Sequence, residues 1–296
     1  MSTTSSAPGA GSLGRRLAAS LYRHPRVQLS ALLALPLGWL LVAYLGSLGL
    51  MLVSAFWQLD SFTGNTITEP TLDNFATIAQ GEVYRTVAIR TIVIAALVTV
   101  TDIILAFPIA YFMARVASPR MRGLLVVSIL LPLWSGYLVK VYAWRLILNE
   151  SGVLNWALDP IGLRGPGYGD VAVWLVMSYL WLPYMILPIY AGLERIPSSV
   201  LEASGDLGAR SGTTFRRVVL PLALPAVAAG SIFTFSLTLG DYITPTLVSG
   251  TQFIGNVVYS NISVNRPLAA AYALVPIVIM IGYLFVARRL GAFEEL

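Results

Sequence analysis

Stretches of about 20 or more mainly apolar residues recur near 29–56, 86–114, 122–148, 170–193, 219–243 and 268–290, and they leave this chain few folds to choose from. A run of that length crosses the hydrocarbon core of a bilayer as a helix, because a helix satisfies its own backbone hydrogen bonds where no water is present. The rest of the sequence could not cover a water-facing globule. Only 11% of the 296 residues are charged, against roughly 25% in soluble domains. The expected fold is therefore an all-α polytopic membrane protein with six transmembrane helices.

Charge between the runs sets the orientation. Arg15, Arg16, Arg23 and Arg26 precede the first run; Arg115, Arg120 and Arg122 separate the second from the third; Arg195, Arg210, Arg216 and Arg217 separate the fourth from the fifth; Arg288 and Arg289 follow the last. The alternate connections carry Asp60, Glu69, Asp73 and Glu82, then Glu150, Asp159 and Asp170. The positive-inside rule places both termini and the connection 194–218 in the cytoplasm, a parity that an odd number of spans would break. The first run is too long for the ~7–15 residues of a signal-peptide core, so it reads as an uncleaved span. The domain expectation follows: a disordered basic cytoplasmic segment 1–28, a first span 29–56, an external loop 57–85, a core of five spans over 86–290, and a cytoplasmic tail 291–296.

Several chemistries are excluded by inventory. With no cysteine, disulfides and thiolate metal sites cannot form, and His24, the single histidine, has no second imidazole with which to share a metal. Lys140, the single lysine, follows Val139 rather than glycine, so a phosphate-cradling G-x-x-x-x-G-K-[ST] loop is absent. The net charge of +5 comes from arginines at the edges of apolar runs, which suits membrane orientation rather than nucleic acid.

Polar features inside this apolar frame are the candidate sites. Ser199-x-x-Glu202 reads as a capping box opening a short helix from about Val200 to Leu207, ended by a left-handed Gly208. The segment Glu202-Ala203-Ser204-Gly205-Asp206-Leu207-Gly208-Ala209 is small and polar, as a docking surface would be. The external loops 58–85 and 149–169 each have room for a short amphipathic helix. Prolines 36, 108, 132, 183, 188, 225, 245 and 276 kink spans, some of them where spans would line a cavity.

Ionisable side chains at membrane depth are costly, about 2.5–3.5 kcal/mol at mid-span, and so demand a partner or water. Asp102 falls near the middle of the second run; it either bonds to Thr99 or Thr101, pairs with Lys140 or Arg145, or faces a cationic substrate. Asp241, in the Gly240-Asp241-Tyr242 turn ending the fifth run, either meets an ammonium at a cavity mouth or caps an irregular helix end. Trp134, Tyr137, Tyr142, Trp144, Tyr179, Trp181 and Tyr184 cluster in the third and fourth runs, as interface anchors or as aromatic faces for a cation.

The order Glu202-Ala203, Gly208, Val218 and Leu220-Pro221 resembles the EAA loop of ATP-binding-cassette import permeases, with Ser204 where the second alanine is usual. Leu131-Pro132-Leu133-Trp134 through Val141-Tyr142-Ala143-Trp144, Leu154-Asn155, and Leu239-Gly240-Asp241-Tyr242-Ile243-Thr244-Pro245 are similar to the permease subunits of spermidine/putrescine importers, over about residues 80–290. The resemblance implies a type I (MetI-like) importer-permease fold in a bacterial cytoplasmic membrane. It implies an ATPase-coupling role for Glu202, Ala203, Gly205, Asp206, Gly208, Ala209, Leu220 and Pro221, and a substrate path including Asp241, Tyr242, Asp102, Trp134, Tyr137, Tyr142, Trp144, Trp181 and Tyr184. It also implies partners: a second, different permease subunit, two ATPase subunits that bind ATP and Mg, and an external substrate-binding protein. The chain itself would be non-catalytic, with no cofactor or metal. A polyamine is the cargo first expected; iron, thiamine, opines, phosphonates and amino-acid-like solutes are carried by relatives. An ion-coupled carrier would instead show internal repeats and a relay of buried acids or histidines.

Overall fold

The computed structural model describes residues 25–60 and 62–289. The expected basic segment with Arg15, Arg16, Arg23 and His24, apart from its last residues, and the tail 291–296 lie outside the described residues. The chain divides into two compact units, Met1–Ser54 and Ala55–Leu296. In the first, α1 (Pro25–Trp39), a π-turn (Leu40–Leu45) and α2 (Gly46–Ser54) follow one another without a break. Pro36 offers no amide to the carbonyl a turn before it, and the helix widens into the π-turn directly afterwards.

The second unit opens with a small departure from an all-helical chain. Strands β1 (Gln58–Leu59) and β2 (Thr66–Ile67) pair antiparallel, with Gln58 opposite Ile67. Asp60 closes their turn by accepting from Thr63 Oγ1 at 2.7 Å and the Phe62 amide at 2.9 Å, which holds its carboxyl below the usual carboxylate range. Helix α3 (Asp73–Gln80) fills the expected amphipathic place in this loop, and α4 (Glu82–Tyr111) follows with a π-turn (Phe112–Val116) at its end. Beyond it lie α5 (Pro119–Trp134), α6 (Tyr137–Leu148), α7 (Val153–Leu158), α8 (Asp170–Arg195) and α9 (Ser198–Asp206). The chain continues through α10 (Ser211–Thr214), a π-turn (Phe215–Val219), α11 (Leu220–Gly240), α12 (Ile243–Val248), α13 (Ile254–Asn261) and α14 (Arg266–Arg289).

Among the described residues five helical stretches are long and apolar enough to cross a membrane: Leu32–Ser54, Glu82–Val116, Asp170–Arg195, Ser211–Gly240 and Arg266–Arg289. The sixth is broken. The apolar run 122–148, expected as one span with a proline kink at Pro132, is α5 and α6 meeting at 91°. Pro132 removes an amide from the last turn of α5, the Ser135 amide and hydroxyl both turn back to the Pro132 carbonyl, and extended Ser135 and Gly136 start α6 in a new direction. Two boundaries also shift: the second span begins at Glu82 rather than 86, and the fifth at Ser211 rather than 219.

Helices α4, α8 and α11 pack against one another as the centre of this unit. Close approach of α8 and α11 depends on Gly192, where an added Cβ would stand 2.4 Å from the Ala226 Cβ. Ile94, Val98, Val176, Met177 and Leu180 form one buried cluster with Val141 and Leu148 of α6. Ala106, Met113, Met185, Ile189, Leu193 and Ala223 form another toward the opposite end. Side-chain bonds fix the helix directions: Arg90 of α4 pairs with Asp170 of α8 at 3.5 Å, and Arg115 donates to the Leu193 and Ile196 carbonyls. One end of the trio therefore bears Glu82, Asp170 and Asp241, and the other Arg115, Arg122 and Arg195.

Candidate functional site

At the arginine-rich end, α9 is a two-turn helix that follows a helix end held by arginines. Arg122 donates through Nε to the Met113 carbonyl, through Nη2 to that of Ala114 and through Nη1 to Glu194 Oε1 at 2.9 Å. With Arg115 on the Leu193 and Ile196 carbonyls, the final carbonyls of α8 are satisfied by cations just before α9 begins. In the sequence these arginines signal only topology; the carbonyls that Arg115 reaches, on Leu193 and Ile196, are 78 and 81 residues away.

The capping box expected at Ser199 is not formed. Helix α9 starts at Ser198 with Pro197 as its N-cap and no side-chain cap, because extended Pro197 already turns the chain and its carbonyl accepts from Val200 at 3.2 Å. Ser199 thus sits inside the first turn, where its hydroxyl cannot reach the Glu202 amide as a cap would. The other terminus is as the sequence suggests: Gly208 has φ +78°, and the Ala209 amide returns to the Ser204 carbonyl at 3.1 Å. Ser204 Oγ bonds Thr214 Oγ1 at 2.9 Å and Leu201 packs on the buried cluster, which anchors one face. Glu202, Ala203, Gly205, Asp206 and Gly208 stand exposed on the free side, and Ala209 is half-buried. Leu207, 88% exposed, joins them as an apolar tip that the motif did not single out. Leu220 and Pro221 do not belong to a loop. They lie in a continuous helical stretch after the π-turn, which comes just before the proline that lacks an amide.

At the acidic end a cavity of about 360 Å³ is lined by Tyr137, Trp181, Ser236, Leu237, Gly240, Asp241 and Tyr242. Tyr137 and Trp181 stack nearly parallel with ring centroids 6.0 Å apart, and Tyr184 meets Trp181 edge-on at 6.0 Å. Tyr242 stacks on Tyr259 at 4.5 Å. Asp241 ends α11 and caps α12: its Oδ1 accepts from the Ile243 amide at 2.8 Å and the Thr244 amide at 3.2 Å. Its Oδ2 accepts from Tyr137 Oη at 2.5 Å and Thr244 Oγ1 at 2.6 Å. The capping reading of Asp241 is realised, yet the same carboxylate lines the cavity.

The rest of the expected path is dispersed. Trp134 is 91% exposed at the end of α5, Tyr142 is exposed on α6, and Trp144 packs against Tyr179 at 5.5 Å; none of them lines this cavity. Asp102 is fully buried between α4 and α8, where its carboxylate has no hydrogen-bond partner; Ser178 faces it outside hydrogen-bonding geometry. The bonds expected from Thr99 and Thr101 are absent because Thr99 donates to its own Ala95 carbonyl and Thr101 accepts from Trp174 Nε1. Among the described residues the ion pairs are Arg90–Asp170 and Arg122–Glu194, so neither Lys140 nor Arg145 pairs with Asp102.

A bundle with an exposed helix at one end and an aromatic, acid-capped cavity at the other has the form of a transport permease, and residues 106–293 match the family described as binding-protein-dependent transport system inner membrane component. The chain belongs to that family: it is a multi-pass inner-membrane permease of ATP-binding-cassette importers. It is 44% identical to the inner membrane ABC transporter permease protein YdcU of Escherichia coli (strain K12), over 98% of this chain and 97% of that protein. It is 30% identical to the spermidine/putrescine transport system permease protein PotB of Haemophilus influenzae, over 74% of this chain and 79% of that one. In fold it is similar to a chain of a bacterial alginate ABC transporter in complex with an alginate pentasaccharide-bound periplasmic protein, at TM-score 0.72 and 20% identity, over 92% and 96% of the two chains. Family membership favours the ATP-driven importer over the ion-coupled carrier.

Proposed function

We propose that this chain conducts a polyamine, spermidine or putrescine, as one transmembrane half of an importer. The observation that carries the reading is the cavity in which Tyr137, Trp181 and Tyr242 surround Asp241. Protonated polyamines are flexible chains of ammonium groups and methylenes, and aromatic faces bind the former while covering the latter. The likeness to PotB, named for spermidine and putrescine, supports the same cargo class.

In this reading the arginine-rich end is cytoplasmic, as the positive-inside rule requires, and both termini lie on that side. The exposed face of α9, with Glu202, Ala203, Gly205, Asp206, Leu207 and Gly208, seats in one of two ATPase subunits that bind ATP and Mg. A second permease completes the path, and a binding protein delivers cargo at the acidic end. Closure of the ATPases draws the docking helices together and rocks the two permeases between inward-facing and outward-facing states, so that the path opens to one side at a time. The chain binds and moves its cargo without making or breaking bonds in it.

The ligand spectrum of the cognate binding protein tests the cargo. Spermidine or putrescine binding in preference to anions, thiamine or ferric iron is the expected result; selective binding of an anion would refute the polyamine reading.

A further inference from the structure

We infer that Tyr137 is a cargo-displaceable latch: its hydroxyl occupies Asp241 in the empty permease, and an ammonium entering the cavity takes its place and frees the elbow between α5 and α6. This rests on the proposed reading that the path carries an organic cation.

The argument begins with acceptor capacity. A carboxylate offers about four lone-pair positions, and Asp241 receives four donors: the amides of Ile243 and Thr244, the Thr244 hydroxyl and the Tyr137 hydroxyl. A cation that binds it directly must displace one of them. Both amides are fixed by the first turn of α12, and the Thr244 hydroxyl belongs to the same turn and to a fully buried residue. Tyr137 alone comes from another element, 104 residues away in sequence, and it alone among these donors lines the cavity. It is the donor that can leave.

What Tyr137 holds is as informative as what holds it. It is the first residue of α6, directly after the Ser135–Gly136 break where the chain turns through 91°. Helix α5, on the other side of the break, is held at its far end by Arg122 and along its middle by Leu125, Val126 and Ile129, but its last turn beside the break is exposed at Leu131 and Trp134, so the end next to the elbow is the freer one. The Tyr137 ring stacks on Trp181 through its face, which leaves the hydroxyl at its edge able to change partner. The bond from Tyr137 to Asp241 therefore ties a hinge to the cavity, and a cation that competes for the carboxylate reports its arrival to the broken span. Such an exchange is a differential interaction of the ligand with two states, which any ligand-driven conformational change requires.

The latch is tested in the complete importer, reconstituted in vesicles with its second permease, ATPases and binding protein. Tyr137→Phe keeps the ring and removes the hydroxyl. We expect cargo-free ATP hydrolysis to rise several-fold, the stimulation by spermidine or putrescine to fall toward one-fold, and the KM for uptake to decrease because the competitor for Asp241 is gone. A purely structural role would raise KM or leave it unchanged. Asp241→Asn retains the acceptor for the two amides but replaces the Oδ2 that accepts the Tyr137 hydroxyl and removes the charge that draws an ammonium; it should raise cargo-free hydrolysis as Tyr137→Phe does, with stimulation lost and the KM for uptake raised rather than lowered. Wild-type stimulation and KM in Tyr137→Phe would overturn the latch. Should the wild-type importer take up neither polyamine, the cargo reading fails, and the latch is judged by cargo-free hydrolysis: elevated in Tyr137→Phe it stands, unchanged it falls.

Discussion

Asp102 lies fully buried in the α4–α8 contact with neither oxygen bonded, while the hydroxyls of Thr99 and Thr101, just before it in sequence, are engaged elsewhere. An unpartnered buried acid carries a desolvation cost that an apolar group of similar size does not, so such a replacement is neutral or stabilising. Asp102→Leu should therefore leave the thermal midpoint of the purified complex unchanged or raised, with uptake retained, since Asp102 does not line the cavity. A fall in the midpoint would mean that Asp102 holds a partner. At this scale the sequence was a partial guide. It marked Asp241, Tyr137, Trp181 and Tyr242, which the fold brings together, but not Ser236, and it gave Thr244 and Leu207 no role of their own within the stretches that contain them. Which hydroxyl bonds to which acceptor depends on helix facing: a threonine in a helix reaches its own backbone a turn earlier, as Thr99 does.

The elements were more legible than their joints. Apolar runs gave the spans because length and hydropathy decide membrane crossing, but a count of apolar residues does not register the 91° turn in residues 119–148. Pro132 was the available signal, and it acts by withholding an amide where Ser135 then closes the helix. The reverse holds for α9, whose expected N-terminal box is absent while the glycine at its C-terminus behaves as its backbone freedom predicts. At φ +78° a residue with a Cβ is strained by roughly 1–2 kcal/mol, and proline cannot adopt the angle. Gly208→Pro, and Glu202→Lys on the exposed face, should abolish ATP-driven uptake while the protein still inserts at wild-type levels. Unchanged uptake in both variants would remove α9 from the coupling path.

Across the whole molecule, the alternation of basic and acidic connections and the packing directions of α4, α8 and α11 tell the same story. Arg115, Arg122 and Arg195 stand at one end of the trio and Glu82, Asp170 and Asp241 at the other, with Glu194 paired to Arg122 at the basic end and Arg90 to Asp170 at the acidic one. Arg115, one of the arginines between the second and third runs, also holds the Leu193 and Ile196 carbonyls from which α9 departs, so α9 is attached to the bundle core rather than to a slack loop. In the proposed reading, energy entering at α9 and cargo entering near Asp241 are joined by α8 and α11, packed together through the Gly192–Ala226 contact. The measurement that bears most directly on this account is ATP hydrolysis by the complete importer in vesicles, with and without its loaded binding protein. We predict several-fold stimulation by the spermidine- or putrescine-loaded protein, lost in Gly208→Pro. Hydrolysis indifferent to the loaded protein, or stimulation that persists in Gly208→Pro, would contradict it.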